Sequence, residues 1–140
     1  MNIVVASDDN YVIHLLTLLV SIGENNKDNK IDFHIFDGGI NQNSKKKINE
    51  ILENYKNIKV HYYSMSEKKL EKMLGGRIKK DRSLLTFARI FIPNLIEGDR
   101  AIYMDVDAIV KNKLDDLYSL NLEEKAIGGV LDTNQKMIYI

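Results

Sequence analysis

The sequence predicts an α/β fold, an open and mainly parallel sheet with helices on both faces. Short runs of β-branched and other apolar residues alternate along the chain with segments whose apolar residues recur at three- and four-residue spacing. The first pattern is typical of buried strands, and the second is typical of helices with one buried face. Because each intervening helix returns the chain to the same end of the sheet, this alternation favours parallel pairing of the strands.

Five runs are predicted to be strands, and polar or glycine-containing segments follow several of them. The first run is short, rich in valine and closed by the polar residues 7–10. The predicted strands cover residues 3–6, 31–36, 58–63, 101–104 and 126–131. The carboxyl ends of parallel strands lie along one edge of the sheet, and ligands bind outside that edge.

Four segments between the strands are predicted to be helices. They are the segment after Asn10, the segment from Ser44, residues 67–74 and residues 83–91. Asp9 or Asn10 is the expected N-cap of the first helix and Ser44 that of the second, since short polar side chains accept hydrogen bonds from the free N–H groups there. Pro93, the only proline, is expected to end the fourth helix.

Composition and charge predict one domain over residues 1–140 and exclude several classes of protein. Twenty basic residues balance twenty acidic ones, so no net charge attracts nucleic acid or anionic lipid. The absence of cysteine excludes disulfides and thiolate chemistry and favours a reducing compartment. No signal peptide or transmembrane segment is expected, since the longest apolar run, residues 13–22, is too short to span a bilayer. A cytoplasmic location follows as the expectation, with peripheral membrane attachment left open.

Acidic side chains follow three of the predicted strands. Asp8 comes after the first strand, Asp105 and Asp107 after the fourth, and Asp132 after the fifth. In a parallel sheet these strand ends share one edge, and two residues two apart on a continuing strand point to the same side. Converging carboxylates suit a hard divalent cation such as Mg²⁺ or Mn²⁺, which could in turn hold a diphosphate. The helix N-terminus after Asn10 would add a favourable dipole for an anion.

Structural alternatives exist for each of these residues. In a chain this rich in aspartate, an Asp-x-Asp pair is expected about once by chance, so it could be two solvated surface carboxylates. Residues 8–10 could be only an N-cap cluster, and Tyr11 ordinary helix surface. Arg89 could be a structural partner for a carboxylate, and Asp132 a loop residue. The position of the pair directly after a buried strand, on the expected ligand edge, favours the metal interpretation.

Several segments together resemble family 8 glycosyltransferases, a group that includes bacterial lipopolysaccharide galactosyl- and glucosyltransferases. Residues 3–11 resemble the family's opening strand and nucleotide-binding loop, and residues 100–110 resemble its Asp-x-Asp strand. Further matching segments are residues 85–93, 114–118 and 128–132, in family order and at family spacing. The resemblance implies a Rossmann-like GT-A fold truncated at its C-terminal side. The chain is then expected to be the nucleotide-sugar-binding, N-terminal portion of a longer domain.

The resemblance also implies a UDP-hexose donor, Mn²⁺ or Mg²⁺ as the metal, and a role for each matching residue. It assigns donor contacts to Asp8, Asn10, Tyr11, Arg89, Asp105 and Val106. Asp105 and Asp107 would hold the metal against the diphosphate, with Asp8, Asn10 and Tyr11 on the uridine. Arg89, near the diphosphate or sugar, and Asp132, facing the sugar, are the candidate catalytic residues.

Family members transfer the sugar with retention of configuration to an acceptor hydroxyl, without an established protein nucleophile. The expected acceptor is a saccharide such as lipopolysaccharide or another cell-surface glycan.

The family's late histidine, which completes the metal shell, has no match here, because all three histidines precede Asp105. An inactive UDP-binding remnant, or a subunit needing a separate C-terminal half, is therefore the alternative. A shortened sheet would also leave an edge open to self-association. A third alternative, an aspartate-nucleophile phosphohydrolase, lacks the later motifs it needs.

Overall fold

Among the residues that the structure describes, four strands form a parallel sheet. The computed structural model describes residues 1–75 and 83–129. The strands are β1 (Asn2–Ser7), β2 (Ile31–Asp37), β3 (Ile58–Ser64) and β4 (Ile102–Tyr103). Their order is β3-β2-β1-β4. β2 and β3 therefore lie on one side of β1, and β4 lies on its other side. This reversal makes the crevice between β1 and β4 the switch point of the sheet, where ligands bind in folds of this class.

Helical segments connect the strands, and two of those in the described part of the chain are 3-10 helices. The α-helices are α1 (Val12–Asn25), α2 (Gln42–Leu52), α3 (Glu67–Met73), α4 (Ile92–Leu95) and α5 (Asp115–Tyr118). The 3-10 helices are Asp9–Tyr11 and Leu84–Phe91. Within the described part of the chain, none of the helices combines the length and apolar character needed to cross a membrane.

Two apolar cores cover the two faces of the sheet, as the predicted layers require. On one face Ile3, Phe33 and Ile35 pack with the buried side of α1 and with Ile48 of α2. On the other face Val4 and its neighbours pack against the 3-10 helix Leu84–Phe91 and α4. Successive residues of β1 alternate between the two cores because side chains on a strand point to opposite faces. The predicted α/β fold with a parallel sheet and helices on both faces is confirmed.

The helix caps differ from those predicted. The N-cap of α1 is Tyr11, whose side chain makes no capping hydrogen bond, rather than Asp9 or Asn10. Asp8 caps the preceding 3-10 helix, since its carboxylate accepts a hydrogen bond from the backbone N–H of Asn10 at 2.9 Å. Asp9 instead accepts two hydrogen bonds from Asn41, from the backbone N–H at 3.0 Å and from Nδ2 at 2.6 Å. Asn41 in turn caps α2 by accepting from the N–H of Ser44 at 2.9 Å. Asp9 therefore ties the loop after β1 to the start of α2.

The fourth predicted helix ends at Phe91 as expected, although it is a 3-10 helix, but two other expectations are wrong. Pro93 does not end a helix but lies in the first turn of α4, where a missing N–H costs nothing and the fixed φ suits a helix start. The predicted strand 126–131 does not form over residues 126–129, and its last two residues lie outside the described part of the chain. Ile127 is exposed, so this segment lacks the second layer that would stabilise a strand.

His34 is a buried titratable group in the middle of the sheet. Its ring stacks on that of His61 with centroids 4.9 Å apart. Its Nδ1 lies 3.1 Å from the hydroxyl of Tyr63, and its Nε2 lies 3.1 Å from Oδ1 of Asn2. Burial, and then the neighbouring His61, hold the pKa of His34 below its usual value of 6.5, although the carboxylate of Asp32 opposes them. The neutral imidazole is therefore the form that the fold accommodates.

We expect the free energy of unfolding to fall as the pH drops below about 6.5, since the unfolded chain then binds a proton that folded His34 resists. In His34→Gln the free energy of unfolding should depend less on pH in this range. The loss of stability below about pH 4 should remain, because it comes from carboxylates of lowered pKa such as Asp32 and Asp37. Urea unfolding at a series of pH values measures both parts. The same substitution at the exposed His14, His14→Gln, provides the matched comparison for the slope. An undiminished slope in His34→Gln would contradict this assignment.

Candidate functional site

A cavity of about 260 Å³ lies at the carboxyl edge of the sheet, in the crevice between β1 and β4. Six of the eight residues predicted from the sequence line it. They are Asp8, Tyr11, Arg89, Asp105, Val106 and Asp107. Asn10 is not among the lining residues, and Asp132 lies outside the described part of the chain. The topology of the sheet thus brings together side chains that are about 100 residues apart in the sequence.

A larger depression of about 380 Å³ lies at the opposite edge, between the end of α1 and the start of β3. Two of its charged groups, Glu24 and Lys27, already bind one another. The Glu24 carboxylate accepts a hydrogen bond from the Tyr55 hydroxyl at 2.8 Å and pairs with the Lys27 ammonium at 2.8 Å. This depression has the larger volume, but it does not lie at the carboxyl edge of the sheet. The crevice between β1 and β4 does lie at that edge, where ligands bind in folds of this class. We therefore regard the smaller cavity as the candidate site.

The end of β1 supplies a carboxylate and an aromatic ring to the cavity. Asp8 follows the buried Ser7, whose carbonyl oxygen accepts a hydrogen bond from the N–H of Gly38 at 2.9 Å and so anchors this strand end to β2. Tyr11 closes the 3-10 turn and is half-exposed at the rim of the cavity. An exposed aromatic face beside polar groups can stack on a flat heterocycle, while Asp8 offers oxygen acceptors for its polar edge.

The acidic pair lies after β4, but not on a continuing strand as predicted. β4 ends at Tyr103, and the chain turns at residues 106–107. The N–H of Ala108 closes this turn by donating to the carbonyl oxygen of Asp105 at 3.1 Å. The argument from strand alternation is therefore wrong, because a strand of two residues ends before it can place them. Both Asp105 and Asp107 nevertheless line the cavity, because the turn lies at its wall.

Arg89 enters the cavity from the 3-10 helix Leu84–Phe91. Its Nε donates to the carbonyl oxygen of Thr86 at 2.9 Å, and its Nη2 lies 3.4 Å from Oδ1 of Asp105. The side chains of this ion pair are 43% and 65% exposed, so the pair contributes little to stability. Arg89 thus pairs with a carboxylate, as expected if its role is structural. It also lines the candidate cavity, as expected if it binds the donor.

Tyr103 is a lining residue that the sequence interpretation missed. Its ring centroid lies 4.5 Å from the guanidinium carbon of Arg89, a cation–π distance. Burial raises the pKa of Tyr103 to about 12, so its hydroxyl stays protonated at neutral pH. A tyrosine within a predicted strand is usually part of the core, and only its place two residues before the acidic pair could have suggested a role.

The carboxylates that line the cavity suit a hard cation, but they make up only part of the set of ligands that such a cation needs. Asp105 and Asp107 provide the oxygen donors that Mg²⁺ and Mn²⁺ prefer. Over residues 1–75 and 83–129, however, no group of three or more ligating side chains lies close enough together to hold a metal. A cation here would need further oxygen ligands, which phosphate groups and water commonly provide.

The model of the family described as Glycosyl transferase family 8 matches residues 2–139. The chain belongs to glycosyltransferase family 8. The curated relatives agree with this assignment. Glycosyltransferase GlyD of Streptococcus pneumoniae is 32% identical over 94% of this chain and 16% of its own length. General stress protein A of Bacillus subtilis is 29% identical over 96% of this chain and 47% of its own length.

A solved structure of the family confirms the GT-A fold. The galactosyltransferase LgtC, crystallised in complex with donor and acceptor sugar analogs, superposes with a TM-score of 0.68 and 26% identity. The matched region covers 87% of this chain and 43% of LgtC. The chain therefore spans less than half the length of these relatives. Membership in family 8 also removes the reason to regard Asp105 as the nucleophile of a phosphohydrolase.

Proposed function

We propose that this chain is the donor-binding part of a metal-dependent, retaining hexosyltransferase that uses a UDP-hexose, UDP-glucose or UDP-galactose. One observation carries the proposal: six of the seven residues that family resemblance assigns to donor and metal binding line one cavity at the switch point of the sheet. The likeness to LgtC, a galactosyltransferase that was crystallised with donor and acceptor sugar analogs, supports a sugar donor of this class.

The uridine is proposed to bind at the end of β1. Tyr11 offers an exposed ring face on which the uracil can stack. Asp8 and Asn10 offer oxygen and amide groups for the polar edge of the base and for the ribose hydroxyls. The carboxylate of Asp8 already caps the 3-10 turn through the N–H of Asn10, and this bond keeps the turn in place before the nucleotide arrives.

The diphosphate is proposed to bind between Arg89 and the turn at residues 105–107. Asp105 and Asp107 would hold Mn²⁺ or Mg²⁺, and the backbone of Val106 would lie beside the nucleotide. When bound, the cation supplies charge stabilisation for the departing UDP. The guanidinium of Arg89 provides a second positive group at the same wall of the cavity, and its weak, exposed pairing with Asp105 leaves it able to bind a phosphate instead.

In the proposed reaction the acceptor hydroxyl forms a bond to the anomeric carbon of the hexose as the bond to UDP breaks, and the hydroxyl proton passes to the phosphate oxygen that the hexose leaves. Arg89 counters the charge that develops on the leaving diphosphate. Asp132 remains the predicted residue facing the sugar. The proposed acceptor is a saccharide, such as lipopolysaccharide or another cell-surface glycan.

A second function is a chain that binds UDP or UDP-hexose without catalysis, or that pairs with a separate C-terminal half. The incomplete set of metal ligands in the described residues favours it. Both functions need the same donor site, and they differ in whether the hexose is released. Incubation of UDP-galactose or UDP-glucose with the chain, Mn²⁺ and a saccharide acceptor, followed by mass spectrometry, separates them.

The donor site itself is tested by calorimetric titration of UDP into the purified chain, with and without Mn²⁺. We expect binding that requires the metal, because the carboxylates of Asp105 and Asp107 would otherwise repel the diphosphate. ADP and GDP serve as controls, since only the uracil ring should fit beside Asp8 and Tyr11. A folded chain that binds none of these nucleotides would overturn the proposal.

A further inference from the structure

We propose that Tyr103 is a positioning residue whose ring holds the guanidinium of Arg89 in place for the donor diphosphate. The inference rests on the proposed function, because it concerns how the same cavity keeps its positive group aimed at the phosphates. It adds to the predicted site a lining residue that would act on the donor through Arg89.

Three contacts hold the Arg89 side chain, and they leave its terminal nitrogens facing the cavity. Its Nε donates to the carbonyl oxygen of Thr86 at 2.9 Å. The guanidinium carbon lies 4.5 Å from the centroid of the Tyr103 ring, and Nη2 lies 3.4 Å from Oδ1 of Asp105. Because Nε is committed to the backbone, the terminal nitrogens are the donors that can reach a phosphate oxygen.

Of these three contacts, the one with Asp105 is lost when the proposed site fills. The Asp105 carboxylate would then bind the cation and no longer pair with the guanidinium. The single hydrogen bond to Thr86 fixes one nitrogen but leaves the plane of the guanidinium free to rotate. The ring of Tyr103 has no competing ligand, so it is the contact that keeps this plane fixed after the exchange.

The Tyr103 ring is itself held rigidly. Tyr103 pairs with Val4 in the register of β4 on β1, and it packs against the second core together with residues of the 3-10 helix that carries Arg89. It therefore belongs to the scaffold, whereas Asp105 lies in a loop and is exposed. A rigid ring beneath a long cationic side chain reduces the conformational entropy that binding would otherwise cost.

A double-mutant cycle on UDP affinity, measured by calorimetry in the presence of Mn²⁺, tests the inference. Tyr103→Phe keeps the ring and should bind UDP like the unmodified chain. Tyr103→Leu keeps apolar volume but removes the ring face, and it should weaken UDP binding by about 3- to 30-fold. In an Arg89→Gln background, which has no guanidinium to hold, Tyr103→Leu should cause no further loss.

Three results would overturn the inference: Tyr103→Leu binds as tightly as the unmodified chain, Tyr103→Phe binds as weakly as Tyr103→Leu, or Tyr103→Leu has the same effect with Arg89 and with Gln at that position. Thermal unfolding shows whether each variant is folded, and Tyr103→Met replaces the leucine variant if that one is not. Absence of UDP binding by the unmodified chain would overturn the proposed function as well. Metal-dependent binding without coupling between the two positions would overturn this inference alone.

Discussion

Replacing Asp105 and Asp107 together with alanine is expected to weaken Mn²⁺-dependent UDP binding by about 100-fold or more. Both carboxylates line the cavity, and they are the proposed protein ligands of the cation. Without them, nothing proposed at this wall would hold the cation against the diphosphate. Calorimetric titration of UDP with Mn²⁺ measures the loss, and titration of Mn²⁺ alone shows whether the cation still binds.

The matched control for this variant is Asp99→Ala/Glu124→Ala. It removes two negative charges from exposed positions outside the cavity and should leave UDP affinity unchanged. Since Asp105 and Asp107 are also exposed, neither double variant should change the free energy of unfolding by more than about 1 kcal/mol. If the Asp105/Asp107 variant binds UDP with Mn²⁺ as tightly as the control does, the cation is not held at this turn.

Phe33→Ala is expected to lower the free energy of unfolding by about 3–5 kcal/mol, a large part of the stability of a domain of this size. Phe33 is 0% exposed and lies on β2 in the core beneath α1. Truncation to alanine removes buried apolar surface and leaves a cavity that a strand paired on both sides cannot easily close. Urea unfolding followed by circular dichroism measures the change.

Ile13→Ala provides the comparison for the core substitution. Ile13 is also a large apolar residue, but it is 77% exposed on the outer face of α1. Its replacement should change the free energy of unfolding by no more than about 0.5 kcal/mol. Equal effects of the two substitutions would show that the sheet face carrying Phe33 is not the core of the folded protein.

The strands and the main helices could be predicted because their signals are local. β2 and β3 begin where the apolar runs begin, at Ile31 and Ile58, and each extends one residue beyond its predicted end. The helix predicted over residues 67–74 forms as Glu67–Met73. Apolar residues recur every two residues in a strand and about every three and a half residues in a helix, according to which face of the element is buried. This spacing can be recognised from residues that are close together in the sequence.

The residues that cap the helices and the end of the fourth strand could not be predicted with the same accuracy. Residues 8–10 present three polar side chains in succession, and which of them caps depends on which one reaches a free N–H. Asp9 instead accepts a hydrogen bond from Asn41, which is 32 residues away in the sequence. β4 stops two residues before Asp105 because pairing with β1 ends at Tyr103, and nothing in the apolar run marks that point.

The amino-acid sequence was enough to predict the alternation of strands and helices, the parallel pairing, and the membership in family 8 that the matching segments indicated. It also placed the acidic residues at strand ends. The packing of the folded chain sets the pairing of β4 with β1 rather than with β3, and this pairing brings Asp105 and Asp107 to the same cavity as Asp8. It alone placed the Arg89 guanidinium over the Tyr103 ring. Local periodicity is set by each residue's own neighbours, whereas contacts between segments about 100 residues apart are selected by the packing of the whole sheet and both of its cores.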